Sequence, residues 1–143
     1  MGLGDIFMSI KEMSVFKTGE KNDAFKDYFI GQSYLNMLST EQVKVANVTF
    51  EAGCRNNWHI HHADCGGGQI LLVTAGKGWY REYGKPAREL NPGDTVNIPA
   101  NVKHWHGAAA DSAFQHIAIE VPGENTSTEW CEAVTDEEYG KLK

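Results

Sequence analysis

The chain has 143 residues, of which 41% are hydrophobic and 22% charged, the proportions of one folded domain rather than of a disordered chain. The net charge of −6 argues against a nucleic-acid partner, and the longest aliphatic run, Ile70–Val73, is far shorter than the roughly 20 residues that cross a bilayer. The three cysteines, Cys54, Cys65 and Cys131, include no C-x-x-C pair and suit reduced thiols, so we expect a cytoplasmic protein.

Short strands are the main secondary structure that the sequence predicts. The N-terminal residues are polar and lack a sustained period, and residues 8–17 fit either a short helix or an edge strand. From Gln32 onward, apolar runs alternate with turns rich in glycine, proline and asparagine, and such spacing is typical of an antiparallel sandwich or barrel. The predicted strands are Ser33–Leu38, Val43–Glu51, Trp58–His62, Gln69–Ala75, Gly78–Tyr83, Asp94–Pro99, Lys103–His106 and Ala113–Val121.

A helix is predicted near the C terminus. Thr135-Asp136-Glu137-Glu138 is a capping-box sequence, and the helix that it starts should be about two turns long. The expected organisation is an N-terminal arm over residues 1–31, a β-barrel over residues 32–121 and a C-terminal arm with the short helix over residues 122–143. The arms have too little apolar periodicity to fold alone, so they should pack on the barrel or on a neighbouring molecule.

One outer face of the barrel is predicted to be apolar. Strand alternation places Val45, Ile70, Leu72 and Ile117 on one register of this face. Because an exposed apolar sheet face favours sheet-to-sheet association, we expect a homodimer or a higher homo-oligomer.

Histidines carry the strongest chemical signal. All six lie between residues 59 and 116, within the predicted strands. Residues two apart in a strand point to the same face, so His59 and His61 reach one side, and His104 and His106 repeat the arrangement on a later strand. His116 lies on a third strand. Imidazoles gathered inside a closed sheet suit Zn, Mn, Fe, Ni or Cu.

The residues around these histidines resemble the two motifs of the cupin superfamily. The first motif, G(X)5HXH(X)3–4E(X)6G, is matched by Gly53, His59-Ile60-His61, Gln69 and Gly76. The second, G(X)5PXG(X)2H(X)3N, is matched by Gly93, Pro99, Asn101 and His104, with Ala108 in place of its asparagine. Asn101 stands where the motif has glycine, a mild change because asparagine tolerates positive φ. The resemblance implies an all-β fold, a small antiparallel β-barrel of the double-stranded β-helix or jelly-roll type.

A closer resemblance, over residues 43–139, is to small single-domain cupins of the conserved-barrel type. These are related to the manganese-dependent cupin hydroxynitrile lyases and are often called carboxymuconolactone-decarboxylase-associated cupins. The matching blocks are Trp58-His59-Ile60-His61, Gly68–Gly76, Lys103–Ala109 and Val134–Glu137. By this resemblance the metal ligands are His59, His61, Gln69 and His104. They would hold one divalent transition-metal ion per chain, with manganese favoured and iron, zinc or nickel as alternatives.

The same resemblance suggests roles for other pocket residues. His106 matches a histidine that serves as acid/base near the ion, and His116 matches a second pocket histidine. Glu120 stands where the lyases have a glutamine, and the Gly66–Gly68 loop is absent from their pattern. Since both differences lie at the pocket, the lyase substrate is not carried over. Gln69, where most cupins have glutamate, leaves the full +2 charge of a bound ion unreduced.

The function indicated is a metal-dependent enzyme that acts on a small-molecule substrate. Lyase chemistry at a carbonyl or cyanohydrin carbon leads, with dioxygenase and isomerase chemistry as other possibilities. In this interpretation His106, with an ordinary imidazole pKa near 6.5, moves a proton. The alternative is a non-catalytic cupin that senses or stores a metal or small ligand. His106 is then a hydrogen-bonded packing residue, and Gln69 an ordinary sheet residue.

Residues outside the motifs are expected to be structural. Trp58, Trp79 and Trp105 should line the barrel interior or its rim as core residues. Cys65 should be a free thiol beside the site rather than a ligand. The glycines at 66–68 fit either a flexible lid or an ordinary hairpin loop.

Overall fold

Short strands are the main secondary structure of the computed structural model, which describes residues 14–142. In chain order the strands are β1 (Glu20–Lys21), β2 (Phe29–Ile30), β3 (Ser33–Ser39), β4 (Val45–Phe50), β5 (Arg55–Asn56), β6 (His59–His62), β7 (Cys65–Gly66), β8 (Gln69–Gly76), β9 (Gly78–Glu82), β10 (Arg88–Leu90), β11 (Thr95–Ile98), β12 (His104–Ala108), β13 (Phe114–Glu120), β14 (Gly123–Glu124) and β15 (Ser127–Trp130). A 3-10 helix covers Asp23–Tyr28, and an α-helix, α1, covers Asp136–Tyr139. No helix within residues 14–142 is long and apolar enough to cross a membrane.

Each strand predicted from the sequence is present, with ends that differ by at most two residues. The unpredicted strands are two to four residues long, and such short segments show no period that a sequence could reveal. Of the segment 8–17, residues 8–13 lie outside the described residues, and residues 14–17 form neither helix nor strand.

The strands form two main antiparallel sheets. The first has the order β1-β3-β4-β13-β8-β11. The second has the order β10-β9-β12-β5-β2, and in it β6 pairs with both β12 and β15. A small third sheet joins β14 to β7. The non-sequential order of the antiparallel strands is that of a jelly roll, which confirms the predicted fold class.

An apolar core fills the space between the two main sheets. Phe50, Leu71, Leu90 and Phe114 are fully buried in it. A second buried cluster contains Trp58, Trp79, Trp105, Val134 and Tyr139.

The three tryptophans are buried, as expected of core residues, but they lie in this second cluster and not beside the histidines. Trp105 alternates with His104 and His106 along β12, so its indole points to the opposite side of the sheet from the two imidazoles. Trp58 and Trp79 lie with it in the cluster that Val134 and Tyr139 complete. The C-terminal arm therefore covers the outer face of the second sheet.

The helix α1 begins with the predicted capping box. The Glu138 backbone N–H donates to Thr135 Oγ1 at 3.2 Å, and the Thr135 N–H donates to Glu138 Oε1 at 3.3 Å. The helix has four residues, one turn instead of the two predicted. Tyr139 is buried, and Gly140 after it keeps helical backbone angles, so the helix ends in a turn whose N–H groups bond to Glu138 and Tyr139.

Both arms contribute strands to the sheets. On the N-terminal side, β1 pairs with β3 and β2 pairs with β5. On the C-terminal side, β15 pairs with β6. These strands bring residues of both arms beside the strand that carries His59 and His61.

The glycines at 66–68 form a packed connection, which favours the loop interpretation over an open lid. Cys65 and Gly66 pair with β14. Gly68 has a φ of +93°, and a Cβ added there would lie 2.4 Å from the Ile98 carbonyl oxygen. Only glycine fits so close to another backbone.

Candidate metal centre

Two adjacent strands bring four histidines together inside the barrel. β6 and β12 are antiparallel neighbours with His59 opposite His104, and alternation points His61 and His106 to the same side. The ring centroid of His59 lies 4.2 Å from that of His104, 5.1 Å from that of His61 and 5.6 Å from that of His106. The convergence predicted from the two His-x-His pairs is therefore present.

Backbone carbonyls orient two of these imidazoles. His59 Nδ1 donates to the Asn57 carbonyl at 2.8 Å, and His104 Nδ1 donates to the Val102 carbonyl at 2.9 Å. Since a carbonyl only accepts, the proton is on Nδ1, and Nε2 is left with a free lone pair. This is the arrangement that fixes the tautomer of metal-ligating histidines.

The free nitrogens match the needs of a metal ion. The Nε2 atoms of His61 and His104 are buried and have no hydrogen-bond partner among residues 14–142. Buried acceptors without a partner are costly unless another group satisfies them. His59, His104 and His106 also have ligand atoms that all lie within 4.8 Å of one another. The residues present thus fit a single divalent ion, and imidazole donors favour a transition metal.

His106 differs from His61 and His104 because both of its ring nitrogens lie close to polar side chains. His116 Nε2 lies 3.1 Å from His106 Nδ1. The side-chain Nδ2 of Asn56 is 3.3 Å from both ring nitrogens of His106. The side-chain Oδ1 of Asn56 accepts the His106 backbone N–H at 2.9 Å. Asn56, which the sequence analysis did not single out, therefore fixes the position of His106.

Gln69 and Glu120 lie side by side at the edge of the site. They are directly paired across β8 and β13, and both line the same cavity as His59 and His61. Glu120 is exposed at the end of its strand, and its charge partly offsets the lowering of the His61 pKa. The assignment of Gln69 as a ligand stays a prediction.

Burial keeps the cluster uncharged. It lowers the pKa of His104 to about 4 and that of His116 to about 3. Burial, reinforced by neighbouring imidazoles, also holds the pKa values of His59 and His106 well below the ordinary value. The expectation of an ordinary pKa for His106 is therefore wrong, because the side chain is buried among other histidines. Neutral imidazole is the form that binds metals and accepts protons.

His59, His61, His106 and His116 line a cavity of about 290 Å³ between the sheets, which His104 does not reach. Its walls are mainly apolar side chains, which are Leu35, Met37, Ala46, Val48 and Ala118 from the first sheet and Phe25, Phe29 and Trp130 from the arms. The arm residues escaped the sequence analysis because the 3-10 helix and β15 are too short to show a period. Their aromatic content was the one available signal.

Comparison with known proteins agrees with the geometry. The pattern that defines the cupin domain matches residues 46–120. The chain belongs to the cupin family. An (R)-mandelonitrile lyase of Granulicella tundricola is 46% identical over 117 residues, in an alignment that covers 79% of this cupin and 86% of that protein.

Solved structures resemble the cupin as well. The crystal structure of a cupin-like protein from Thermotoga maritima superposes with a TM-score of 0.78 at 44% identity, over 90% of this chain and 96% of that one. The DMSP lyase DddQ of Ruegeria pomeroyi reaches a TM-score of 0.58 at 22% identity, over 80% of this chain and 57% of that one. At that identity the second likeness concerns the fold alone.

Proposed function

We propose that this cupin is a metal-dependent enzyme that cleaves a small organic molecule by acid/base chemistry, with cyanohydrin or related carbonyl compounds as the leading substrate class. The observation that carries the proposal is the hydrogen bond between His106 and His116 at the floor of an apolar cavity, beside imidazoles with free Nε2 atoms. The name of the Granulicella relative supports the lyase class.

The ion would be held by His59, His61 and His104, with Gln69 as the fourth ligand. His61 and His104 are chosen over His106 because their buried Nε2 atoms have no hydrogen-bond partner within residues 14–142, whereas both ring nitrogens of His106 have polar neighbours in Asn56 and His116. Manganese is favoured by family resemblance, and iron, zinc or nickel would fit the same donors. When bound, such an ion supplies positive charge that stabilises negative charge developing on a substrate oxygen.

His106 would accept the substrate proton. Because Nδ1 of His106 is directed at His116, Nε2 would be the atom that takes the proton from the cyanohydrin hydroxyl. The O–H electron pair becomes the second bond of the carbonyl group, and the bond to the nitrile carbon breaks. Cyanide leaves with that electron pair and takes the proton back from His106, which gives an aldehyde and hydrogen cyanide. His116 would stabilise the protonated His106.

The cavity would select a substrate with one apolar end. Phe25, Phe29 and Trp130 form its aromatic wall, opposite aliphatic side chains of the first sheet. A ring or branched alkyl group fits such walls, while the polar end reaches the histidines. A volume of about 290 Å³ limits the substrate to a small molecule.

The test is purification without an affinity metal, followed by elemental analysis and a cleavage assay with mandelonitrile, an aliphatic cyanohydrin and a panel of carbonyl metabolites. We expect close to one transition-metal ion per chain and turnover that is lost on chelation and restored by added metal. Metal binding without turnover of any compound would favour the non-catalytic alternative. Failure to bind any divalent metal would overturn the proposal.

A further inference from the structure

Trp130 lies directly opposite His59. β15 runs antiparallel to β6, and in this register the two residues are cross-strand partners. Their ring centroids are 4.7 Å apart with an angle of 32° between the planes. Cross-strand partners project to the same side of a sheet, so the indole covers one side of the His59 imidazole inside the cavity.

Tyr28, the last residue of the 3-10 helix, stacks on this indole. The ring centroids of Tyr28 and Trp130 are 4.6 Å apart and the planes are parallel to within 2°. Phe25 and Phe29 each lie 6.3 Å from Trp130. The N-terminal arm therefore fixes the place of a side chain that the C-terminal arm supplies.

Asn57 connects the same elements through hydrogen bonds. Its backbone N–H donates to the Tyr28 carbonyl at 2.8 Å, and its own carbonyl accepts the His59 Nδ1 proton at 2.8 Å. Its side-chain amide donates to the Cys131 carbonyl at 3.3 Å. Asn57 thus bonds to both arms and also accepts the proton that fixes the tautomer of His59.

We propose that Trp130, seated by Tyr28, is a positioning residue that holds the His59 ring with Nε2 turned toward the other imidazoles. The inference rests on the proposed metal site. Without the indole, one side of the His59 ring faces an open cavity, so the ring tilts, its bond to Asn57 weakens and the two tautomers exchange. The two arms complete the metal centre in this way, although neither supplies a ligand.

The experiment compares cobalt(II) affinity in wild type, Trp130→Phe, Trp130→Ala, Tyr28→Ala and the control Tyr83→Ala. Tyr83 is a matched control because it packs on Trp58 at 5.5 Å, and Trp58 faces the opposite side of the sheet. A second readout is the ¹⁵N shift pattern of the His59 ring in the metal-free protein, which reports its tautomer independently of activity. Circular dichroism confirms that each variant is folded.

We expect Trp130→Ala to weaken cobalt binding about 10- to 100-fold, as for other partners that orient metal ligands, and to average the two His59 ring nitrogen signals. Trp130→Phe should keep most of the affinity, and Tyr28→Ala should lie between the two. If Trp130→Ala does not fold, the result for Tyr28→Ala decides.

Wild-type affinity in both alanine variants, or an equal loss in Tyr83→Ala, would overturn the inference. A wild-type protein that binds no cobalt would instead overturn the metal proposal, so the two failures are distinguishable.

Discussion

His116 Nε2 and His106 Nδ1 lie 3.1 Å apart, and both side chains are buried. One of the two nitrogens must carry the proton that the other accepts, so a change of protonation at His106 is transmitted to His116. His106 thereby differs from His104, whose Nδ1 is bonded to a backbone carbonyl that cannot donate a proton.

This difference predicts distinct behaviour of two alanine variants. His104→Ala should lose both metal and activity, because a ligand is removed. His106→Ala should keep the metal and lose about 10²- to 10⁴-fold in rate, the usual contribution of general acid/base catalysis. Metal content by elemental analysis and cleavage rate check both. If His106→Ala loses the metal, His106 is a ligand and Gln69 is not; if it keeps full activity, the acid/base role is excluded.

The metal-free protein should become less stable as the pH falls. The pKa values of His104 and His116 are lowered from 6.5 to about 4 and about 3, so below pH 6.5 the unfolded chain binds protons that the folded chain does not. Above pH 6.5 these histidines do not alter the free energy of unfolding; below it this free energy falls progressively, until the folded protein itself takes up protons near pH 4 at His104 and near pH 3 at His116. Each buried histidine steepens this fall by up to about 1.4 kcal/mol per pH unit.

Urea unfolding of the chelated protein at several pH values between 7 and 4 measures this slope. His62→Gln serves as the control, because His62 is 41% exposed and lies outside the buried cluster, so the fall in stability should persist in this variant. A free energy of unfolding that is flat over this range would show that the histidines are accessible to protons in the folded state.

Arg55 should matter more for stability than its charged partner. Its guanidinium is 4% exposed and donates to the Val134 carbonyl at 2.8 Å and to Asp136 at 2.7 Å, whereas Asp136 is 93% exposed. Arg55→Met leaves a buried carbonyl unpaired, and we expect it to cost about 2–4 kcal/mol. Asp136→Asn should cost at most about 1 kcal/mol. Thermal or chemical denaturation checks the ranking, and equal effects would contradict it.

The apolar outer face of the first sheet leads us to propose self-association. Leu72 is 37% exposed on this face, whereas its cross-strand partner Ile117 is buried. Light scattering after size exclusion should give a dimer or larger, and Leu72→Glu should shift it toward the monomer. Ser127→Glu, at an exposed position of β15 in the second sheet, controls for added charge away from this face. A wild-type monomer of about 16 kDa at micromolar concentration would contradict the proposal.

The features of the candidate site that depend on the geometry of a single strand could be predicted from the sequence. The His-x-His spacing alone places His59 with His61 and His104 with His106, because alternation is a local property of the backbone. The positive φ of Asn101, which is +70°, follows from a motif position in the same way. The capping box at Thr135 is also local.

What could not be predicted depends on contacts distant in sequence. The pairing of Trp130 with His59 joins residues on β15 and β6, and no period in Ser127–Trp130 announces a strand. The pKa of His106 depends on how completely other elements enclose it. The position of Trp105 on the other side of the sheet follows from alternation once His104 and His106 are known to face inward, so this part was predictable.

Asn101 has a consequence for loop engineering. Its side chain accepts the Ala63 N–H and donates to the Ala63 carbonyl, both at 3.0 Å, while its backbone N–H donates to the His61 carbonyl at 2.8 Å. The side-chain amide of Asn101 thus forms with Ala63 the pair of hydrogen bonds that a neighbouring strand would form just beyond β6. A loop transplanted between β11 and β12 must keep an asparagine here, even where other cupins have glycine. The Gly84 turn, whose missing side chain would meet nothing within 4 Å, is a freer place for an insertion.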